Sequence, residues 1–525
     1  MSSVPMWSPP VEMSAAEHKL LRFCKKAPLF AFLRRKRHAL LDAEFQRELA
    51  SMYTTSARGR PPVAPGLLAM ATVLQSALGV SDQEAARLAV TDRCWQLVLG
   101  TLESEEGEEA PFSQGALFDF RMRLITHGMD RRLLERTVEW ARQSKQYSSR
   151  ALRAAFDASG LWGCGRVEDT FNLIGHAARE LIDSVAERLG LSSEEAARRA
   201  GIELVVGSSL KAMLDIDWDD ASARAEALAK LLSQVEALQT FVRAELGAAL
   251  AEPPFEQQLA TLSQVVAQDL EPDPGGGGRQ RIKRDVAKER RISITDPQMR
   301  HGRKSKTKLF NGYKRHVATD LDAGLIVAAA LSPANRPEGE SSKDLFDDIE
   351  RQGLSVEHLH IDRAYLCDPE VQRRCTEGML VHCRPFALRG KDGRFTKADF
   401  TLDFKAQTLT CPAGQTARLR LGEPVRFAAS VCQPCLQKQQ CTASKRGRSV
   451  MIHAHEPMLV ELRARQKTTE GRAALRRRVG VEHALASIER TQGERARYKG
   501  TRKNLFDVRR HAAVQNIYEV MGLAA

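Results

Sequence analysis

Tyr313-Lys-Arg-His-Val-Ala-Thr-Asp320 is followed, across Asp322-Ala-Gly324, by Leu325-Ile-Val-Ala-Ala-Ala-Leu331. Both runs carry the apolar pattern of strands, and the Asp-Ala-Gly step between them is a hairpin turn signal. Asp344-Leu-Phe-Asp-Asp-Ile-Glu350 is helical in pattern, and His358-Leu-His-Ile-Asp362 reads as a strand ending on an acid. Asp368 to Glu377 is helical again, and Leu380-Val-His-Cys-Arg384 is a further strand. Hairpin, helix, strand, helix, strand predicts an α/β fold built on a mixed sheet. Upstream, Leu152-Arg-Ala-Ala-Phe-Asp157 predicts a short strand that also ends on an acid.

Outward from this core the chain divides by pattern. Residues 1–56 form an entry segment with the basic run Arg34-Arg35-Lys36-Arg37, and 57–150 read as helical. Pro65 to Gln75 is apolar with a 3.6-residue period, Ser81-Asp-Gln-Glu84 is a capping box, and Ser113 is a candidate N-cap. The acidic stretch Glu103 to Glu109 predicts an exposed loop. A helix carrying Arg121 and Arg123 suits docking on DNA, and an ordinary packed bundle accounts for it equally well. The core is assigned to 151–166 and 291–401. Residues 167–290 are a helical insertion and basic linker that includes Pro272-Asp-Pro-Gly-Gly-Gly-Gly278. Residues 402–445 hold a cysteine group, and 446–525 are assigned to the helical C-terminal part of the core, with a long Arg-rich helical tail from about 456 to 521.

The chain has 525 residues, 43% hydrophobic and 28% charged, which excludes a disordered or collagen-like polymer. No apolar run is long enough to span a bilayer, and the first residues lack the basic and apolar regions of a signal peptide. A cytoplasmic protein with no membrane partner is expected. The formal net charge is +13. Residues 279–316 hold 14 Lys/Arg against 3 Asp/Glu, and 463–510 hold 15 against 5, so the rest of the chain is net acidic. Positive charge concentrated in this way suits a polyphosphate partner, because neutralising phosphates releases counterions. A solvated basic surface is the plainer alternative.

Asp157 and Asp362 each follow an apolar strand run, which predicts a position at a strand's carboxyl end, where open α/β sheets bind ligands. Carboxylates held there suit a hard divalent cation such as Mg²⁺. Taken singly, each Asp also has an ordinary reading as a helix cap or turn residue. Holding two metals over a phosphate calls for a third acid. Glu482 is the candidate, expected near the buried face of its helix beside Val479, Leu485 and Ile488, with Arg478 one turn earlier. Glu489 is its rival. Four of the ten cysteines, Cys411, Cys432, Cys435 and Cys441, form a CxxC with two flanking thiols. That set favours a structural tetrahedral Zn²⁺, with reduced thiols as the alternative.

These residues resemble a family. The chain is similar to DDE transposases of bacterial insertion sequences, in the branch called the eleven-eighty-two group, from about Gly59 to Asn516. The resemblance rests on Gly59-Arg-Pro-Pro, Arg166-Val-Glu-Asp-Thr-Phe-Asn172, Arg300-His-Gly-Arg-Lys-Ser-Lys306 and Phe310-Asn-Gly-Tyr-Lys-Arg-His316. Ser332-Pro-Ala-Asn-Arg336, His360-Ile-Asp-Arg-Ala-Tyr365 and Tyr498-Lys-Gly-Thr-Arg-Lys-Asn504 continue it in order. It implies a ribonuclease H-like mixed-sheet core, an N-terminal helical DNA-binding domain, a helical insertion and a four-cysteine, zinc-ribbon-like insertion. Its catalytic acids fall on Asp157, Asp362 and Glu482, which bind two Mg²⁺ (or Mn²⁺), and similar family members carry the same four cysteines. Arg478 matches the family's arginine. Leu475 and Glu489 stand where fuller signatures have tyrosine and lysine, with Arg490 adjacent as a substitute.

The implied function is a transposase that binds the terminal inverted repeats of its element, cuts there and joins the ends to target DNA. A homodimer or larger assembly on DNA, associated with the nucleoid, is implied as well. The phosphate path is expected to use Arg303, Lys304, Lys306, Lys308, Lys314 and Arg315 on one side. Arg478, Arg490, Arg497, Lys499, Arg502 and Lys503 are expected on the other. A nuclease without strand transfer and a catalytically inactive, transposase-derived DNA-binding protein or repressor are the competing readings.

Overall fold

The computed structural model describes residues 4–23, 27–54, 61–103, 110–144, 149–207, 209–275, 279–304, 307–388 and 390–522. Lys306, expected on the phosphate path, lies outside the described residues, as do Cys24, Gly59, Arg60, 104–109 of the acidic stretch and the last glycines of the linker.

Six strands make the central sheet: β1 (Ala151–Trp162), β2 (Arg300–Arg303), β3 (Leu309–Asp320), β4 (Leu325–Pro333), β5 (Ser355–His360) and β6 (Leu380–His382). Their order is β4-β3-β1-β5-β6, and β2 also borders β3. β3 and β4 form the expected hairpin, with Asp320 opposite Leu325. Its turn is closed by Asp320, whose Oδ1 accepts from the backbone of Asp322 and Ala323, while Gly324 takes φ +72. β1 runs antiparallel to β3 but parallel to β5, and β5 is parallel to β6. The sheet is therefore mixed, as the strand pattern predicts.

One expectation is corrected. β1 does not end on Asp157 but continues to Trp162, in register with β3 down to Gly312. The small Ala158-Ser159-Gly160 run carries no strand signal of its own; pairing along β3 supplies it.

Alternation sends the two faces of the sheet into different cores. Ala155, Val317, Ile326 and Ala329 face one layer, and Ala154, Phe156, Ala318 and Ala328 face the other. The first layer is made by α1 (Pro65–Leu78), α4 (Val479–Gln492) and α5 (Thr501–Val520), and the second includes α2 (Arg132–Ser144) and α3 (Ser342–Arg351). α1 is buried on nearly every side, which its apolar composition permits.

The N-terminal helices therefore do not stand apart. Helices within 1–56 and 57–150 share one core with α4, α5 and the sheet. Half of the basic run is internal: Arg34 grips Glu17 in two hydrogen bonds, and Arg37 donates to the carbonyls of Leu97, Val98 and Pro10. Arg121 is likewise buried against Asp82, 2.7 Å away. The helical insertion has a core of its own, built on the Thr170–Leu189, Ala221–Leu246 and Phe255–Asp269 helices. A further small core, around Phe400, Leu409, Phe427 and Ile452, holds two little sheets, with Cys411 just after one strand and Cys432, Cys435 and Cys441 in the segment that links the two strands of the other sheet. The expected Arg-rich helical tail consists of four helices, Glu456–Lys467, Thr469–Arg477, α4 and α5.

Candidate active site

The parallel partner of β1 stops early. β5 ends at His360, opposite Ala155, so from Phe156 onward β1 has lost its neighbour on that side. Asp157 lies just beyond this point and Asp362 just past the end of β5, so both acids border the same gap. Asp362 Oδ1 accepts from the Ala364 N–H at 2.7 Å, and Asp157 Oδ1 accepts from the Ala158 N–H at 2.9 Å.

The third acid enters from α4. Glu482 sits in its first turn, where the helix dipole favours a negative charge. Contrary to expectation its side chain is not near a buried face: it is 48% exposed, and Val481, Ala484, Leu485 and Ile488 do the packing. Arg478, immediately before α4, joins the acids. Its guanidinium stands 3.1 Å from Asp157 Oδ2 and 2.5 Å from Glu482 Oε1. Burial pushes the Asp157 carboxyl above its usual range; Arg478 opposes the shift, and Asp362 and Glu482 add to it. Asp362 and Glu482 thus both bear on Asp157 across the gap. Glu489 is elsewhere, bound to Arg315 at 2.7 Å.

Sequence reading missed Glu338, which follows the Ser332–Arg336 motif. Burial raises its carboxyl as well, Lys314 opposes at 3.8 Å, and Asp362 and Asp157 contribute. Tyr365 lies fully buried behind the acids, its hydroxyl 3.1 Å from His316 Nδ1. His316 Nε2 meets Ser332 Oγ at 2.9 Å, and burial, then the nearby Lys314, takes the imidazole down to about 3. The wall behind the acids is therefore uncharged.

Hard oxygen donors of this kind suit Mg²⁺ in chemistry. Among the described residues, however, no group of three or more His, Cys, Asp or Glu stands in a metal-holding arrangement. The guanidinium of Arg478 supplies the positive charge between Asp157 and Glu482. Its buried Nη1 faces Asp157 as an ion pair without the alignment of a hydrogen bond. The same absence applies to the cysteines. Cys411, Cys432, Cys435 and Cys441 line one cavity of about 410 Å³, but they do not form a metal-holding group, so the structure gives zinc no support.

The basic residues expected on the DNA path separate into two sets. Arg303, Lys304, Lys308, Arg490, Lys499, Arg502 and Lys503 are exposed. Arg315 is corrected: it is fully buried and spends its donors on Ser159, Gln492, Glu489 and the carbonyl of Gly493. The reason is that β3 is covered on both faces, and Arg315 points under α4. Lys314 donates to the carbonyl of Arg336 and Arg497 to those of Gly79 and Val80, so both are committed inside the fold. Arg502, though exposed, reaches Asp130 at 3.2 Å. The Tyr498–Asn504 motif shapes a loop: Asn504 bonds the backbone of Tyr498 and Gly500, and the Gly500 N–H donates to Asp296.

Residues 410–521 match the family described as a transposase DDE domain, and residues 25–123 match a transposase domain (DUF772). Together the two matches support a DDE-type transposase, and that class implies DNA as a partner and divalent metal ions in catalysis. Glu482 and Arg478 lie inside the first match; Asp157 and Asp362 lie outside both. No curated protein and no solved structure matches the chain. No helix among the described residues is long and apolar enough to cross a membrane.

Proposed function

We propose that the chain is a DNA transposase of the eleven-eighty-two type, with a ribonuclease H-like core, that binds terminal inverted repeats and catalyses cleavage and strand transfer. The observation that carries this reading is that Arg478 joins Asp157 to Glu482 at a gap in the sheet that Asp362 also borders. The sheet order, antiparallel on one side of β1 and parallel on the other, is consistent with it.

Asp157, Asp362 and Glu482 are the residues that would hold Mg²⁺, whose chemistry would be to lower the pKa of a water or DNA 3′-hydroxyl and to stabilise the leaving oxygen; Arg478 would first have to withdraw from between Asp157 and Glu482. The chain's own residues do the remainder. β1 and the end of β5 fix two carboxylates on rigid backbone, so little reorganisation is needed once DNA is bound. Arg478 neutralises the acids at rest and, being near the surface, can turn to a phosphate oxygen. The exposed Arg303, Lys304, Lys308, Arg490, Lys499 and Lys503 track the strands by charge. The four-cysteine insertion is proposed as a structural Zn²⁺ module on donor chemistry alone. By family resemblance, the proposal extends to a homodimer or larger assembly that holds two DNA ends, in the cytoplasm and on the nucleoid.

The test is incubation of the full chain with element-end duplex and Mg²⁺ or Mn²⁺. Nicked and joined products are expected, and Asp157→Ala should bind without cutting. Cutting without joining would reduce the protein to a nuclease. Binding with no cleavage by the wild type would make it a repressor.

A further inference from the structure

Where β2 runs beside the start of β3, the surface opens into a cavity of about 540 Å³. That volume lies in the range of small-molecule sites, roughly 300–1,000 Å³. Its walls combine two chemistries. Val286 and Leu309 stand at 68% and 57% exposure, and the buried Phe310 backs the same wall. Lys288 and Arg303 are exposed cations on the same lining, and Arg300 contributes a buried Nε that has no hydrogen bond and faces the Glu289 carboxylate at 3.9 Å.

Asn335 also lines the cavity, and its Oδ1 too is buried without a partner. Asn335 belongs to the loop that runs on to Glu338 at the acid gap. A pocket with an apolar wall, a cationic rim and unsatisfied polar groups does not suit duplex DNA, whose bases are stacked and inaccessible. It suits one nucleotide lifted out of the stack: the base on the apolar wall, the phosphate on the cations. An acidic peptide would use the rim but leave the apolar wall unmatched.

We propose that this cavity binds a single unpaired nucleotide of the DNA strand that passes the acid gap. The inference rests on the DNA reading above. Its probe is a duplex of about 30 base pairs carrying 2-aminopurine as a one-nucleotide bulge, beside the same duplex without the bulge. The full-length wild type should bind the bulged duplex about tenfold more tightly and change the 2-aminopurine emission. Leu309→Ser and, separately, Val286→Ser should lose both effects while still binding the plain duplex. Both residues are exposed, so the fold should survive, and an unchanged melting temperature checks this.

Two outcomes overturn the proposal alone: wild-type binding of both duplexes with equal affinity and no emission change, or retention of the effect in both variants. Failure to bind either duplex overturns the DNA reading, and the pocket's assignment with it.

Discussion

Arg478 Nη1 lies 3.1 Å from Asp157 Oδ2, so the buried carboxylate already faces a cation that belongs to the chain. The other arm of the guanidinium holds Glu482. The acids are thus neutralised in part, and a divalent ion entering the gap would have to compete with the chain's own arginine.

Arg478→Gln should leave Asp157 and Glu482 unopposed. Its melting temperature without metal should fall, and Mg²⁺ or Mn²⁺ should raise it more than in wild type. A thermal-shift titration reads this; equal metal responses would show that Arg478 does not compete.

Glu482 and Glu489 are two turns apart on α4 and should fail differently. Glu482→Gln should abolish cleavage with little change in stability, because the side chain is half exposed. Glu489→Gln should instead leave the buried Arg315 short of its charge partner, at a cost of about 1–3 kcal/mol, with cleavage retained by the folded fraction. Urea unfolding beside a cleavage assay separates the two; the reverse pattern would make Glu489 the third acid.

The buried histidine behind the acids gives a pH dependence. His316 is held neutral down to about 3, below its ordinary value of 6.5. The unfolded chain takes up a proton near its ordinary value that the folded chain refuses. Stability is therefore complete above that pH and falls as pH drops towards the folded value, by about 1.4 kcal/mol per unit for one such group. His316→Gln should flatten the decline between about pH 6 and about pH 4.5. Chemical unfolding across that range measures it, and identical slopes in the two proteins would remove the claim.

Exposed and buried cations should differ in salt response. Lys499→Ala with Lys503→Ala should lower the slope of log affinity against log salt by about 2, since each phosphate contact contributes roughly 0.9. Arg315→Ala should lower stability instead, because its donors are internal. An unchanged slope for the lysine pair would take them off the DNA.

A metal analysis of the purified chain decides the role of the four cysteines. Near-stoichiometric zinc would support the module, and its chelation should loosen 402–445 without altering cleavage chemistry. A zinc-free protein with an intact Phe400–Ile452 core would show that the cavity folds on apolar packing alone.

How much was legible beforehand depends on how local the cause is. The β3–β4 hairpin, the strand before Asp362 and the helical insertion are written in short-range pattern and turn chemistry, so the sequence by itself determined them. It also singled out Asp157, Asp362 and Glu482 as candidates, because acids beside apolar runs and within motifs stand out without coordinates. Only the tertiary structure decided the length of β1, since the small residues after Asp157 become a strand by pairing with β3. It alone brought Glu338 near enough to Asp362 and Asp157 to feel their charge, a relation between distant segments that no local pattern encodes. The fate of each basic side chain was decided there too. Arg315 and Lys503 look alike in the sequence, both within basic runs, but α4 covers the first and water the second.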